Sequence, residues 1–281
     1  MTEAHGTMTT GTVSVEGGRL SYEVAQGGSG PTLVLLHGGM LDRHSWDEQF
    51  ARLAARGHHV VRYDARGHGH SSTVTGDYAH QDDLRALLAH LAVPRAVLVG
   101  LSLGARTALD AALAHPEYVA ALVLTAPGVS GRPFTDPFVT HHAEQQIAAL
   151  GTGGAAGVEL FVEHFLRMWV DGPHRSPTEV DGALRERLRA CATANVLRHA
   201  AGLGAGLPRE VGAADRLGEV AVPTLVLTGD LDGSDILANA HAVAAAAPNA
   251  RHRVLPGAAH MIPLECPDLF EHELDTFLAA L

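Results

Sequence analysis

Gly100-Leu101-Ser102-Leu103-Gly104 constrains this chain more than any other stretch, because of what brackets it. An apolar run rich in valine, Ala96-Val97-Leu98-Val99, precedes it, and a helical run from Ala105 to Leu113 follows. A serine on a strand-to-helix turn takes a strained, solvent-facing conformation, and glycines two residues to either side let strand and helix pass close to it. The same turn sets backbone N–H groups and the positive end of a helix where an oxyanion would form. A bare Gly-x-Ser-x-Gly recurs by chance. With a strand before it and a helix after it, the pattern demands a sheet whose strands feed helices.

The rest of the chain supplies that sheet. Thr12–Val15 and Leu20–Val24 alternate like a hairpin around Gly17-Gly18, and Gly27-Gly28-Ser29-Gly30-Pro31 reads as a turn. Thr32–Leu36 is continuously apolar, as in a strand buried on both faces of a parallel sheet. Further strands are expected at His59–Tyr63 and Val119–Leu124, with helices at Trp46–Arg56 and Gln81–Leu91 between them. From Pro127 to about Asp215 the pattern turns helical throughout, and Phe161, Phe165 and Trp169 repeat on one helical face. Strands resume at Val222–Leu227 and near Arg253–Leu255, and an amphipathic helix covers Pro267–Leu281. These elements predict an α/β fold: a doubly wound, mainly parallel eight-stranded sheet with helices on both faces and a helical cap inserted after the sixth strand. The core domain then spans 1–127 and 218–281, and the cap spans 128–217, over the strand ends where doubly wound folds place their sites.

Composition narrows the chemistry. In 281 residues, with 46% hydrophobic and 18% charged, there is room for one large core and a smaller lid. A net charge of −11 argues against nucleic-acid and anionic-membrane partners, which need clustered cations, and leaves a small-molecule substrate. All 20 basic residues are arginines, so Schiff-base chemistry, Ser–Lys dyads and lysine-bearing phosphate loops are excluded. Cys191 and Cys266 fit no metal or redox spacing and are expected as reduced thiols in a cytoplasmic protein. Met1–Gly11 is polar and lacks the apolar centre of a secretory signal. No metal and no cofactor is expected. His68-Gly69-His70 has a two-ligand spacing without a third ligand nearby, and Gly151–Ala156 echoes a dinucleotide loop but follows a helix, not a strand.

A serine hydroxyl needs a base, and the base needs a carboxylate to fix its tautomer. Among 19 histidines, His260 is the candidate, on a loop just past the last expected strand. His58, His59, His141, His142, His199, His241, His252 and His272 are expected at solvated positions. For the acid, Asp232 is favoured and Asp230 is the alternative, both at the end of the strand Leu225–Leu227. The oxyanion donors are the amide of Leu103 at the helix start and that of Gly39 in His37-Gly38-Gly39-Met40, with His37 ordering that loop. Phe161, Phe165, Met168 and Trp169 either line an apolar entrance or form the cap's own core; Met40 and Met261 are expected beside them in the substrate pocket.

On His37-Gly38-Gly39, Asp64–Ser71, Gly100–Gly104, Gly229–Asp232 and Gly257–His260, the chain resembles the α/β-hydrolase fold family in its capped, cofactor-independent branch. The resemblance implies Ser102 as nucleophile, Asp232 as acid, His260 as base, and Gly39 and Leu103 as oxyanion donors. Relatives that open epoxides or displace halide use an aspartate nucleophile, which the serine at position 102 argues against. Arg66 is then structural, ordering the Asp64–Ser71 loop. The expected activity is hydrolysis of a carboxylic ester of a small, largely apolar substrate. Lactone opening and C–C bond hydrolysis use the same triad, and a lapsed enzyme that merely binds a ligand is the alternative from another class.

Overall fold

The computed structural model describes residues 8–28 and 30–281. Residues 1–7 of the polar N-terminal stretch, and Ser29 of the expected turn, lie outside them. Eight strands form one sheet in the order β1-β2-β4-β3-β5-β6-β7-β8. They are β1 (Met8–Val15), β2 (Gly18–Ala25), β3 (Thr32–Leu36), β4 (Val60–Tyr63), β5 (Ala96–Leu101), β6 (Val119–Thr125), β7 (Thr224–Gly229) and β8 (Ala250–Leu255). The β1–β2 hairpin is antiparallel and joins the sheet antiparallel to β4, while every pairing from β4 to β8 is parallel.

The period of two in a strand explains why helices cover both faces. Leu33 and Leu35 of β3 pack with Trp46, Phe50 and Leu53, from α1 (Asp47–Ala55) and the turn before it, and with Phe270, Leu274 and Phe277 of α9 (Pro267–Leu278). Val34 and Leu36 face the other way, onto Leu84, Leu87 and Leu88 of α2 (His80–His90) and the alanines of α3 (Leu103–Ala114). A strand apolar at every position is therefore buried on both sides, as its sequence implies. The helix α7 (Ser234–Ala246) joins the second face through Ala240 and Val243.

After β6 the chain leaves the sheet and returns at β7, and the helices between are α4 (Pro137–Thr152), α5 (Gly154–Leu166) and α6 (Gly182–His199). Asp136 caps α4 by accepting from the Phe138 amide at 2.8 Å, with Pro137 at the first helical position. Gly153 and Gly154 carry φ of 67° and 58°, so the stretch that echoed a dinucleotide loop is the bend between two helices. A π-helical turn, Arg167–Asp171, extends α5. No helix among the described residues is long and apolar enough to cross a membrane.

Candidate active site

The site is built at the strand ends by backbone crowding. Gly100 and Gly104 are fixed by contact: a methyl group on Gly100 would lie 2.4 Å from the Gly104 carbonyl group, and one on Gly104 would lie 2.1 Å from the Leu36 oxygen. Strand β5 and helix α3 thus pass at a distance only glycine permits, and Ser102 between them is held at φ 54°, ψ −107°. A non-glycine residue in this region costs about 1–3 kcal/mol and persists where its surroundings over-determine it. Its amide donates to the Thr125 oxygen at 2.9 Å and its carbonyl accepts from Arg106 N–H at 2.9 Å. Of the non-glycine residues with positive φ among those described (Met40, Ala92, Ser102 and Ala126), Met40 and Ser102 line one cavity of about 200 Å³.

The candidate acid and base are brought together by two interlaced loops after β7 and β8. Asp230 accepts from the Gly257 amide at 2.7 Å, and the Leu231 amide donates to the Ala258 oxygen at 3.0 Å. This lacing sets His260 Nδ1 at 3.0 and 3.2 Å from the two oxygens of Asp232. Asp232 therefore faces the imidazole, and Asp230 serves the turn. With its Nδ1–H donated to that carboxylate, the ring carries its lone pair on Nε2, which is buried and has no hydrogen-bond partner among the described residues. His260 is 1% exposed and lines the cavity that Ser102 lines.

Glu265, in the short helix α8 (Ile262–Glu265), fixes the His260 loop from the other side. Its carboxylate accepts from the amides of Ala259 at 3.3 Å and Met261 at 3.0 Å, the residues flanking His260. Arg175, from the inserted segment, donates to Glu265 at 2.6 Å and to the carbonyl oxygens of Val170 and Asp171. One guanidinium thus ties the His260 loop to the π-helical turn, whose Trp169 ring lies 4.5 Å from the His260 ring.

The candidate oxyanion loop, residues 37–40, follows β3. The Gly38 carbonyl is held from behind by the His37 Nδ1–H at 2.8 Å and the Leu41 amide at 3.2 Å, and His37 Nε2 accepts from the Ala65 amide at 2.9 Å. In a trans peptide N–H and C=O point oppositely, so this grip turns the Gly39 N–H away from those donors. Gly39 lines the cavity with no atom within 4 Å of where a side chain would start. Leu103, first residue of α3, lines it as well.

The remaining wall is Gly38, Met40, Arg106, Gly128, Phe134, Gln146, Phe161, Phe165, Trp169 and Met261. The structure thus brings Met40, Phe161, Phe165, Trp169 and Met261 together at the cavity. Met168 is buried elsewhere. Phe134, Gln146 and Arg106 had no sequence signal beyond their types: Phe134 lies in an irregular loop, and Arg106 is one helical turn after Ser102. His199, expected at the surface, is instead 5% exposed, its Nε2–H donated to the Gly69 oxygen at 3.1 Å and its Nδ1 accepting from Thr73. His68 is also fully engaged, its Nδ1–H donated to the Arg66 oxygen and its Nε2 accepting from the Met40 amide. Arg66 forms a two-bond pair with Asp83 of α2 and reaches the Glu16 carbonyl, tying its loop to the hairpin turn. Cys191 and Cys266 are both free, and burial pushes their thiols up to about 12 and about 11, which leaves them protonated and unreactive at neutral pH.

The sequence profile of the Alpha/beta hydrolase family matches residues 33–273. The chain is 32% identical over 259 residues to a pimeloyl-[acyl-carrier protein] methyl ester esterase from Xanthomonas campestris, covering 90% of this chain and 97% of the relative. It is 29% identical to a 2-(acetamidomethylene)succinate hydrolase from Mesorhizobium japonicum, covering 95% and 94%. Among solved structures, a hydrolase from Pseudomonas aeruginosa superposes with a TM-score of 0.77 at 29% identity, covering 97% of this chain and 98% of the other.

Proposed function

Because this chain belongs to the alpha/beta hydrolase family and is a hydrolase, we propose that it cleaves carboxylic esters of small, largely apolar substrates by acyl transfer through Ser102. The observation that carries the reading is the shared cavity: a serine in a strained turn and a buried imidazole, backed by a carboxylate, line the same apolar space. His260 Nε2 takes the Ser102 proton as the hydroxyl oxygen attacks the ester carbonyl carbon. The tetrahedral oxyanion receives the amides of Gly39 and Leu103, each such donor contributing about 3 kcal/mol. The alcohol leaves with the proton from His260, and water releases the acyl group by the same route. Segment 128–217 acts as a cap on a core of 1–127 and 218–281, closing the acyl side with Phe134, Phe161, Phe165 and Trp169.

The test is a panel of p-nitrophenyl esters, lactones and β-diketones, run on wild type beside Ser102→Ala. Ester turnover in wild type, reduced on the order of 10⁴-fold or more in Ser102→Ala, supports the reading. Preference for lactone or diketone would reassign the bond cleaved, and retained turnover in the variant would reassign the nucleophile. A serine-directed phosphonate that fails to label Ser102 would favour a ligand-binding protein without catalysis.

A further inference from the structure

The oxyanion loop has two grips, and only one of them belongs to the sheet core. His37 and Leu41 hold the Gly38 carbonyl, as above. The two peptides that meet at Met40, a non-glycine residue at φ 60°, are each held, and such a conformation persists only where its surroundings over-determine it. Its amide donates to His68 Nε2 at 3.3 Å, within the core. Its carbonyl accepts from Asn195 Nδ2 at 2.8 Å, and Asn195 lies on α6 of the inserted segment.

Asn195 has one orientation open to it. Its Oδ1 accepts from the Gly69 amide at 2.7 Å, so its NH₂ group faces Met40. Four residues on, His199 takes the Gly69 carbonyl, so α6 holds both backbone groups of Gly69. Gly69 itself admits no side chain, since one would meet the Asp64 carboxyl group at 2.4 Å. Asn195 is buried, 4% exposed, so these bonds form away from bulk water.

We propose that Asn195 is a positioning residue of the oxyanion hole: its amide locks the strained Met40 and thereby the aim of the Gly39 N–H, so that the hole is complete only with α6 seated. This rests on the function proposed above, in which Gly39 donates to the oxyanion. If α6 lifts, the Met40 carbonyl loses Asn195 and the more distant Cys191 Sγ, the residue relaxes toward negative φ, and the Leu41 N–H on the same peptide leaves the Gly38 oxygen, freeing the peptide that carries the Gly39 N–H. Asn195 touches neither Ser102 nor the reacting carbonyl, so it acts through the loop alone.

Asn195→Asp tests this by exchanging one NH₂ for oxygen. The bond from Gly69 survives, and an acceptor now faces the Met40 carbonyl. On p-nitrophenyl butyrate, kcat should fall about tenfold or more with KM within twofold of wild type. The ratio of variant to wild-type kcat should recover as pH falls, because the introduced carboxyl group, once protonated, donates to Met40 again. Asn195→Ala should lose kcat to a similar degree with a pH-independent ratio. In both variants the amides of residues 37–41 should exchange hydrogen faster, a readout that does not depend on catalysis. Unchanged kcat and unchanged exchange in Asn195→Ala would overturn the proposal, as would a loss confined to KM or to Tm. Failure of both variants to fold would also overturn it, by making Asn195 a general structural residue. A wild type inert toward every ester would sink the functional reading, while the exchange measurement would still decide whether Asn195 holds the loop.

Discussion

The sheet and the inserted helices reach the same cavity with different interiors. In the sheet, β3, β5 and β7 are buried at nearly every position, and the side chains at the site hang from loops pressed between backbones. In the insertion, α4–α6 leave Ile147, Leu150, Leu160 and Leu197 at the surface, around a smaller apolar interior that includes Phe161, Phe165, Leu166, Leu188 and Val196. Asp171, wholly buried, is paired by Arg167 and Arg185, and Glu163 by Arg185 and Arg189. The insertion meets the loops that carry His260 and Gly39 through a few polar contacts, among them Arg175 to Glu265 and Asn195 to Met40. The core fixes where Ser102, Asp232 and His260 are. The insertion supplies an apolar wall and sets the final angle of two loops. Changes in the core should therefore appear first as lost stability, and changes at the contacts as lost turnover.

The largest effect is expected from Gly104→Ala. A methyl group there meets the Leu36 carbonyl at 2.1 Å, backbone against backbone, so strand and helix must part. Overpacking a core typically costs 1–3 kcal/mol, and a rigid backbone clash puts this substitution at about 3 kcal/mol or more. A thermal melt should show a drop of roughly 6–12 °C, or no folded protein at all. A variant melting with wild type would break the claim that the elbow is set by crowding.

Acid sharpens the comparison next. Burial holds His37, His68 and His80 below the usual histidine range, His80 at about 3. In the unfolded chain they take up protons below about pH 6.5, while the folded chain does not, so stability is level above that value and falls as pH drops beneath it. Each such group contributes about 1.4 kcal/mol per pH unit until its folded value is reached. In the insertion, burial and the neighbouring His164 pull His142 down to about 4, but it is half-exposed and solvent screening weakens its share. Melts from pH 8 to pH 5 should be flat and then fall, and His80→Gln should flatten the acid slope more than His142→Gln. Equal slopes would mean the two regions bury charge-sensitive groups equally.

Arg175→Met should move turnover more than stability. It leaves Glu265 without its cation and frees the π-helical turn bearing Trp169, while the apolar core is untouched. A fall in kcat of about tenfold, or ~1.4 kcal/mol, is expected with Tm within a few degrees. Loss of Tm without loss of kcat would make this contact a strut of the insertion and not a support of the base.

These contrasts also explain which parts could be read in the sequence. Elements of the core are punctuated locally: the glycines around Ser102, the carboxylates ending β7 and the glycine turn before His260 each mark a strand end, and continuous apolar runs mark buried parallel strands. The sheet with its helical insertion after β6 followed directly. In the insertion a residue's role depends on how helices dock, which no local pattern encodes. Phe161, Phe165 and Trp169 shared a visible spacing, yet Met168 beside them faces elsewhere because the turn from Arg167 is π-helical and shifts the phase. His199 looked like any solvated histidine until α6 was set against Gly69, and Asn195, one turn before it, gave no sign at all.

Gly39→Ala should have the smallest effect on stability and so isolates the cavity from the fold. Gly39 is free of the left-handed region, and no atom lies within 4 Å of the added methyl group. Gly→Ala at such a site stabilises by up to about 1 kcal/mol through the unfolded chain, so Tm should hold or rise slightly. Because Gly39 lines the cavity, the methyl group occupies substrate space, and kcat/KM should fall more for a bulky acyl group than for acetate, by a factor of order 10. Glycine is then required at position 104 by the fold and at position 39 by the substrate. A Gly39→Ala variant with lowered Tm and unchanged acyl preference would reverse that assignment and place the oxyanion loop with the crowded core.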